Sequence, residues 1–591
     1  MEVTRTFDLL DRYAAKFANK SDVFAAKVNR KWIKHSVSDY INNSSYIAYG
    51  LLALGLQKGD KVATITNNRP EWNFVDMGLA QAGILHVPIF ATLNSQGYKD
   101  IFEHAGVKAV FVSDKKLYNI LKPIASDLIF SFDEVEGARH WTEVRDLGKE
   151  KKDQFKEQVS SNKELTKTTD PVTLIYTSGT TGQPKGVLLS HQNLVSNAIA
   201  AAEVFLLQPD QRYLSVLPIC HVGERMANYQ TQYSGCSLYY TESLASFAND
   251  LRDVKPHGFG AVPRVLEKVY DKIIAKGHKL TGIKKKLFFW ALNLGLRYKL
   301  DGANGAWYEL QLKLANKLIF SKWREAMGGN VVSIGIGGAV LQPRLEKVFW
   351  AAGIKLLNMY GLTETSPIIT INRQHAPNLR LNTVGTKIKD VEVKIADDGE
   401  VLCKGPNVMI GYYNDEKATR EVIDSEGWFH TGDIGVLDDD NFLHITDRKK
   451  EIFKLSNSKY VSPQVIENLF RESVYIDQIM VIGEGEKFTS ALLSPNFDEL
   501  KEWCAENGIQ FNNKQELVKE PGVSKHFSGI VNDFNKSLSK DEQVKRFRIV
   551  PDEWTPDSGE LSPTLKLKRR ILNDKYIGLI NQIFTKESIL E

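Results

Sequence analysis

The sequence predicts an α/β fold with largely parallel sheets, divided into two or more domains. Length is the first reason: 591 residues, 42% of them hydrophobic, exceed the roughly 250–300 at which a single core usually stops growing. The second is a series of short β-branched runs, KVATIT (61–66), KAVFV (108–112), VTLIYT (172–177), YLSVL (213–217) and VVSIGI (331–336), which read as strands. The third is that longer helical patterns separate them, and strands alternating with helices give parallel sheets.

The opening MEVTRTFDLLDRYAAKF reads as an amphipathic helix; Asp8 and Asp11 interrupt the apolar run a secretory signal needs. The charged stretch 148–170 lacks the apolar spacing of a buried element and reads as a surface connection, helical in part. From Lys284 to Gly328 the pattern is helical and rich in bases and aromatics. Two readings stay open there: a membrane-surface helix, or a helix pair whose Phe288, Phe289, Trp290 and Leu294 pack on the domain body. Near the end, YVSPQVIENLF starts a helix, and QIMVIG and TSALLSP read as strands, a small α/β unit.

No run approaches the roughly 18–20 apolar residues of a membrane span, which leaves peripheral attachment, such as at the inner membrane surface, open. With 76 Lys and Arg against 72 Asp and Glu, the net charge of +4 gives no reason to expect a nucleic-acid partner. A homodimer is compatible with the sequence. Cys220, Cys236, Cys403 and Cys504 form no CxxC pair, so neither a disulfide framework nor a zinc site is supported, and a reducing cytoplasm fits.

The most informative run is YTSGTTGQPKGVLLSH, Tyr176 to His191, following a strand and preceding a helix that begins near Ser190. Gly179 and Gly182 permit close backbone approach, Thr177, Ser178, Thr180 and Thr181 offer hydroxyls and amides, and Lys185 adds a mobile cation: a cradle for polyphosphate. A Walker loop would end in Gly-Lys-Ser/Thr, whereas Pro184-Lys185-Gly186 stands here, which disfavours a P-loop ATPase. The full string resembles the phosphate-binding signature of the acyl-adenylate-forming enzymes, the superfamily of acyl-CoA synthetases, firefly luciferases and peptide-synthetase adenylation domains. Further signatures follow in the family's order from about Asp60 to Arg570.

GIKLLNMYGLTET resembles the second nucleotide motif, with Asn358, Tyr360, Gly361, Thr363 and Glu364. The resemblance implies adenine on the Tyr360 face, the α-phosphate on Thr363 and Mg²⁺ on Glu364, with Thr177 completing the metal shell. IGIGGAVLQP places Gly337, Gly338 and Ala339 after a strand, where small residues let adenine and an acyl chain approach. Asp433 of WFHTGDIG and Arg448 of the following motif match positions the family uses on the ribose hydroxyls. The motif Asp447-Arg448-Lys449-Lys450-Glu451 resembles the hinge between a large multi-subdomain amino-terminal domain (1–449) and a small mobile α/β carboxy-terminal domain (450–591). Lys450 matches the hinge position and Lys454 a nucleotide contact.

ELSPTLKLKRRILND places Lys566 on the lysine that reaches the α-phosphate, with Lys568 a neighbouring candidate. Thr564-Leu565 stands where many members carry Ser-Gly, a form resembling the long-chain fatty acyl-CoA synthetases. LPICHVGERM resembles the lining of the acyl pocket. His221 within it is expected to position the carboxylate rather than act as a base, because fatty carboxylates are already ionised at neutral pH. Lys459 stands where some long-chain members carry an aromatic gate. The resemblance implies a long-chain fatty acid, ATP, Mg²⁺ and coenzyme A as reactants. Loading of a carrier protein in trans and a non-catalytic adenylate or lipid sensor are the competing readings.

Overall fold

A computed structural model describes residues 2–125, 128–177, 184–562 and 565–585. Two large sheets dominate. The first has eight strands, with Leu85–Ile89, Lys61–Ile65 and Val107–Val112 parallel at its centre and Pro171–Thr177 beside them. The second has nine strands, and its parallel middle runs through Ser237–Tyr240, Arg212–Ser215, Gly258–Ala261, Ser333–Ile336 and Lys355–Gly361. Four antiparallel strands between Glu392 and Arg448 make a third sheet. The five β-branched runs all lie on strands, displaced by a residue or two at their ends.

One element agrees with the sequence reading and one differs from it. The stretch 148–170 is helical over Lys152–Leu165, directly after a helix Trp141–Glu150. It does lie on the surface, since Val159 is the buried residue of its second helix. Good helix formers (Lys, Glu, Gln) complete the helix without an apolar face to announce it. In addition, Lys185–Ser190 is a strand, antiparallel to Pro171–Thr177, before the helix His191–Phe205 begins. Ser190 caps that helix by accepting from the Asn193 amide.

The two large sheets are stitched together by buried charge. Asp76, on the helix Pro70–Ala82, accepts from Tyr229 at 2.6 Å and pairs with Arg225, both on the helix Val222–Ser234. His86 of a central strand closes on the same carboxylate at 2.6 Å. Removing one member of such a buried pair typically costs about 3–5 kcal/mol, because the other charge is left uncompensated.

From Phe453 onward the chain builds hydrophobic clusters of its own around the strands Ile476–Ile482, Ser490–Pro495 and Arg546–Ile549. This part meets the rest through Arg264 with Asp477 and through Glu267, which accepts from Arg471 at 3.0 Å.

The amino-terminal helix Asp8–Lys16 is fixed partly by His191, whose Nδ1 accepts from the Thr6 amide at 3.2 Å. Burial lowers the pKa of this ring from 6.5 to about 4. The unfolded chain therefore takes up a proton before the folded one does. Stability is full above pH 6.5, declines as the pH falls and stops declining below about 4, a loss on the order of 3 kcal/mol. Urea midpoints measured between pH 7 and 4 are expected to fall less steeply in His191→Gln, which accepts a hydrogen bond but cannot be protonated.

Candidate active site

The carboxyl ends of the strands Pro171–Thr177 and Lys355–Gly361, one from each large sheet, carry Thr177 and Tyr360, and ligand sites in open α/β sheets lie in the cleft at such strand ends. Lys355–Gly361 delivers Tyr360 and turns at Gly361, where a Cβ would lie 1.7 Å from the Pro367 carbonyl oxygen, so glycine is required for the chain to pass. Asp433 and Arg448 face each other across the antiparallel strands Phe429–Leu437 and Leu443–Arg448. That register makes them neighbours: Arg448 Nε donates to Asp433 Oδ1 at 3.0 Å, and the Tyr360 hydroxyl donates to Oδ2 at 2.7 Å. Burial, with Asp433 adding to it, pushes the phenol well above its ordinary pKa and keeps it a neutral donor.

After Gly361 the chain forms the short turn Thr363–Thr365. Its Glu364 carboxylate accepts from the Tyr412 hydroxyl at 2.9 Å through Oε1, and its backbone carbonyl accepts from Met409 at 2.8 Å. The Lys185 ammonium lies 4.7 Å from the centre of the same Tyr412 ring, a cation–π contact. Tyr412 thereby links the two charged residues of separate motifs. Sequence reasoning missed it, because nothing in GYYNDE reveals that Gly411–Tyr412 pairs with Leu188 and Val187. Thr177 faces Lys185 across the hairpin. Ser178, Gly179, Thr180, Thr181 and Gly182 lie outside the described residues.

The Asn358 side chain is turned inward: its Nδ2 donates to Glu346 at 2.8 Å and to the Thr383 carbonyl at 3.3 Å. Glu346, also unforeseen, fixes the strand that carries Tyr360. Gly337 packs against Met359, while Gly338, at φ +84°, and Ala339 are exposed on the loop beyond the strand.

His221 caps the helix Val222–Ser234, its Nδ1 accepting from the Gly223 amide at 3.1 Å. With Nδ1 an acceptor, the ring proton resides on Nε2. Burial first, and Lys566 second, bring its pKa down to about 4, so the imidazole is neutral at pH 7.

Lys566 reaches the same cleft from the far end of the chain. Its side chain is open to solvent along the cleft yet crowded by protein, and this desolvation lowers its pKa. Arg448 lowers it further, while Asp433, Glu451 and Glu364 oppose. Its hairpin is tied by the Ser562 amide donating to the Lys566 carbonyl at 2.7 Å. Arg569 anchors the following helix on Glu467 at 2.7 Å and Glu451 at 3.2 Å. Leu565 takes φ +62°, a region that favours glycine, and packs against the cluster containing Trp554, Leu572 and Tyr576. Lys568 is the residue preceding the helix Arg569–Phe584. Lys450 and Lys454 are both exposed, and the Lys454 ammonium lies 5.4 Å from the Tyr460 ring centre.

Comparison with known proteins gives a consistent answer. A family model described as AMP-binding enzyme matches residues 10–413, and one described as AMP-binding enzyme C-terminal domain matches 450–588. The chain is 30% identical over 580 residues to the long-chain-fatty-acid–CoA ligase FadD15 of Mycobacterium tuberculosis, covering 96% of this chain and 94% of that protein. It is 32% identical to the peroxisomal long chain acyl-CoA synthetase 7 of Arabidopsis thaliana, covering 91% and 80%. Among solved structures, the anthranilate CoA ligase AuaEII in complex with anthranoyl-AMP superposes with a TM-score of 0.72 at 16% identity, covering 98% of this chain and all of that one. The A domain of the carboxylic acid reductase from Segniliparus rugosus, in complex with AMP, gives 0.72 at 20% identity, covering 98% and 94%. The chain therefore belongs to the AMP-binding enzyme family.

Proposed function

We propose that this enzyme uses ATP and magnesium to convert a long-chain fatty acid to acyl-AMP and then transfers the acyl group to coenzyme A. The observation that carries the reading is the charge cluster in which Lys566, more than a hundred residues beyond Arg448 in sequence, faces Asp433, Arg448 and Glu364. The relatives named long-chain-fatty-acid–CoA ligase, which cover nearly the whole chain, support the substrate class.

The residues fit a magnesium ion. Glu364 Oε1 is used by Tyr412, while its second oxygen takes no hydrogen bond from the described residues. Magnesium is commonly held by one or two carboxylates together with substrate phosphates rather than by a protein cage. Glu364 and the Thr177 hydroxyl would hold it, and when bound it supplies positive charge to the phosphate oxygens.

In the first half-reaction, a carboxylate oxygen of the acid attacks the α-phosphorus, and the bond to pyrophosphate breaks with its electron pair. Lys566, Lys185 and the Thr363 hydroxyl offset charge on the phosphate oxygens, while Asp433 and Arg448 hold the ribose and Tyr360 the adenine. Neutral His221 offers its Nε2 proton to the incoming carboxylate. In the second, the coenzyme A thiol sulfur, having lost its proton, attacks the acyl carbon and AMP leaves with the electron pair. Access for that thiol follows from rotation of the small domain about Lys450, which parts Arg264 from Asp477 and Glu267 from Arg471. Arg264 with Asp477 is partly exposed and worth about 1 kcal/mol, whereas Glu267 is buried and its pair with Arg471 is the stronger tie that rotation must break.

Pyrophosphate exchange across fatty, aromatic and amino acids tests the reading. Long-chain fatty acids are expected to give the highest kcat/KM, with thioester forming on free coenzyme A. Faster exchange with aromatic or amino acids rejects the substrate class. Acylation of a carrier protein in place of coenzyme A rejects the second half-reaction, and binding without exchange rejects an enzyme altogether.

A further inference from the structure

The helical stretch from Lys284 to Gly328 resolves its two sequence readings in an unexpected way. Phe288 and Leu294 are buried in the core, as a packed helix pair requires, and Phe289 and Trp290 are half-buried. The next helical stretch, Ala306–Ala315 continuing through Asn316–Phe320, carries the exposed apolar residues instead. Trp307 is 71% exposed, Leu310 59%, Leu314 50% and Leu318 43%. Their spacing of three, four and four residues sets them along one helical face, while Tyr308, Leu312, Ala315 and Phe320 of the same stretch are buried.

The neighbouring helix Gly282–Leu296 runs back alongside, with Phe288 packing 6.3 Å from Trp323, and it starts with Ile283, 71% exposed. Lys284, Lys285 and Lys286 follow directly, and Lys313, Lys317 and Lys322 are interleaved in the turns of the second stretch, all exposed. Between Lys284 and Gly328 there are nine basic and three acidic side chains, a local +6 in a chain whose total is +4.

We propose that this face docks on an anionic lipid bilayer, lying in the interface with Trp307, Leu310, Leu314 and Leu318 inserted and the lysines against the headgroups. An apolar stripe alone would suit several partners; the lysines decide among them. A second copy would set two like-charged faces together, whereas an anionic headgroup layer complements the lysines and the acyl region accepts the leucines. Among the described residues no helix is long and apolar enough to cross a membrane, so the contact is interfacial. The inference rests on these helices alone and holds whichever acid the enzyme activates.

Vesicle flotation of the full-length protein, without acid, ATP or coenzyme A, tests it. Vesicles of phosphatidylcholine with about a third phosphatidylglycerol are expected to retain the protein, phosphatidylcholine alone to retain it weakly, and added salt to release part of it. The triple variant Leu310→Ser, Leu314→Ser, Leu318→Ser is expected to lower partitioning at least about tenfold, with an unchanged unfolding midpoint because those side chains are exposed. Lys284→Glu, Lys285→Glu, Lys286→Glu is a second variant, expected to remove the preference for anionic vesicles. Failure to bind either vesicle type, or binding that both variants leave intact, overturns the proposal. So does a dimer in sedimentation that the leucine variant dissolves while vesicle binding is absent, since the face would then serve a second copy.

Discussion

Lys566→Ala is expected to lower acyl-adenylate formation by at least about 10³-fold, while thioester formation from supplied acyl-AMP and coenzyme A falls no more than about threefold. The asymmetry follows from where the lysine sits. Its side chain is open to solvent yet crowded by protein near Asp433, Arg448 and Glu364, and in the proposed mechanism its positive charge acts on the α-phosphate. In the second half-reaction of the proposed mechanism that phosphate is already the leaving group, and the proposed rotation takes Lys566 away from it. Lys568→Ala, altering the residue that precedes the final helix, is expected to leave both half-reactions nearly unchanged. Equal loss of the two half-reactions in Lys566→Ala would count against a lysine that serves only the first.

Glu364→Gln is expected to cost about 10²-fold in adenylation and to raise the magnesium concentration needed for half-maximal rate. Glutamine keeps the shape and an acceptor for the Tyr412 hydroxyl, so the change isolates the charge. Tyr412→Phe makes the complementary test, removing the 2.9 Å hydrogen bond to Glu364 while leaving the ring beneath Lys185. A loss of about tenfold is expected there, and more in Tyr412→Leu, where the cation–π contact also disappears. Calorimetry of ATP binding at fixed magnesium separates a weakened site from slowed chemistry. Activity of Glu364→Gln within a few-fold of the parent at every magnesium concentration would remove the metal role from this residue.

The motifs were legible because each is contiguous and placed beside a strand. VTLIYT and VVSIGI are strands, Asp433 and Arg448 lie in facing register, and the fold class follows from the alternation that surrounds them. What the sequence did not reveal depends on pairings between distant segments. Tyr412 matters because its short strand adds to Lys185–Ser190, and Glu346 because the helix Pro343–Ala351 packs beside the strand of Asn358. Neither has a local signature, since a tyrosine in a loop and a glutamate on a helix are ordinary surface residues until the register is known. The strand Lys185–Ser190 was hidden for a related reason: KGVLLS is too short for its alternation to stand out between a glycine-rich loop and a helix cap.

Leu565 holds a strained backbone directly beside Lys566. A left-handed leucine is disfavoured by about 1–3 kcal/mol, and it keeps that pose while its side chain is gripped by the cluster around Trp554, Leu572 and Tyr576. The cluster acts as a splint for the reagent one residue further on.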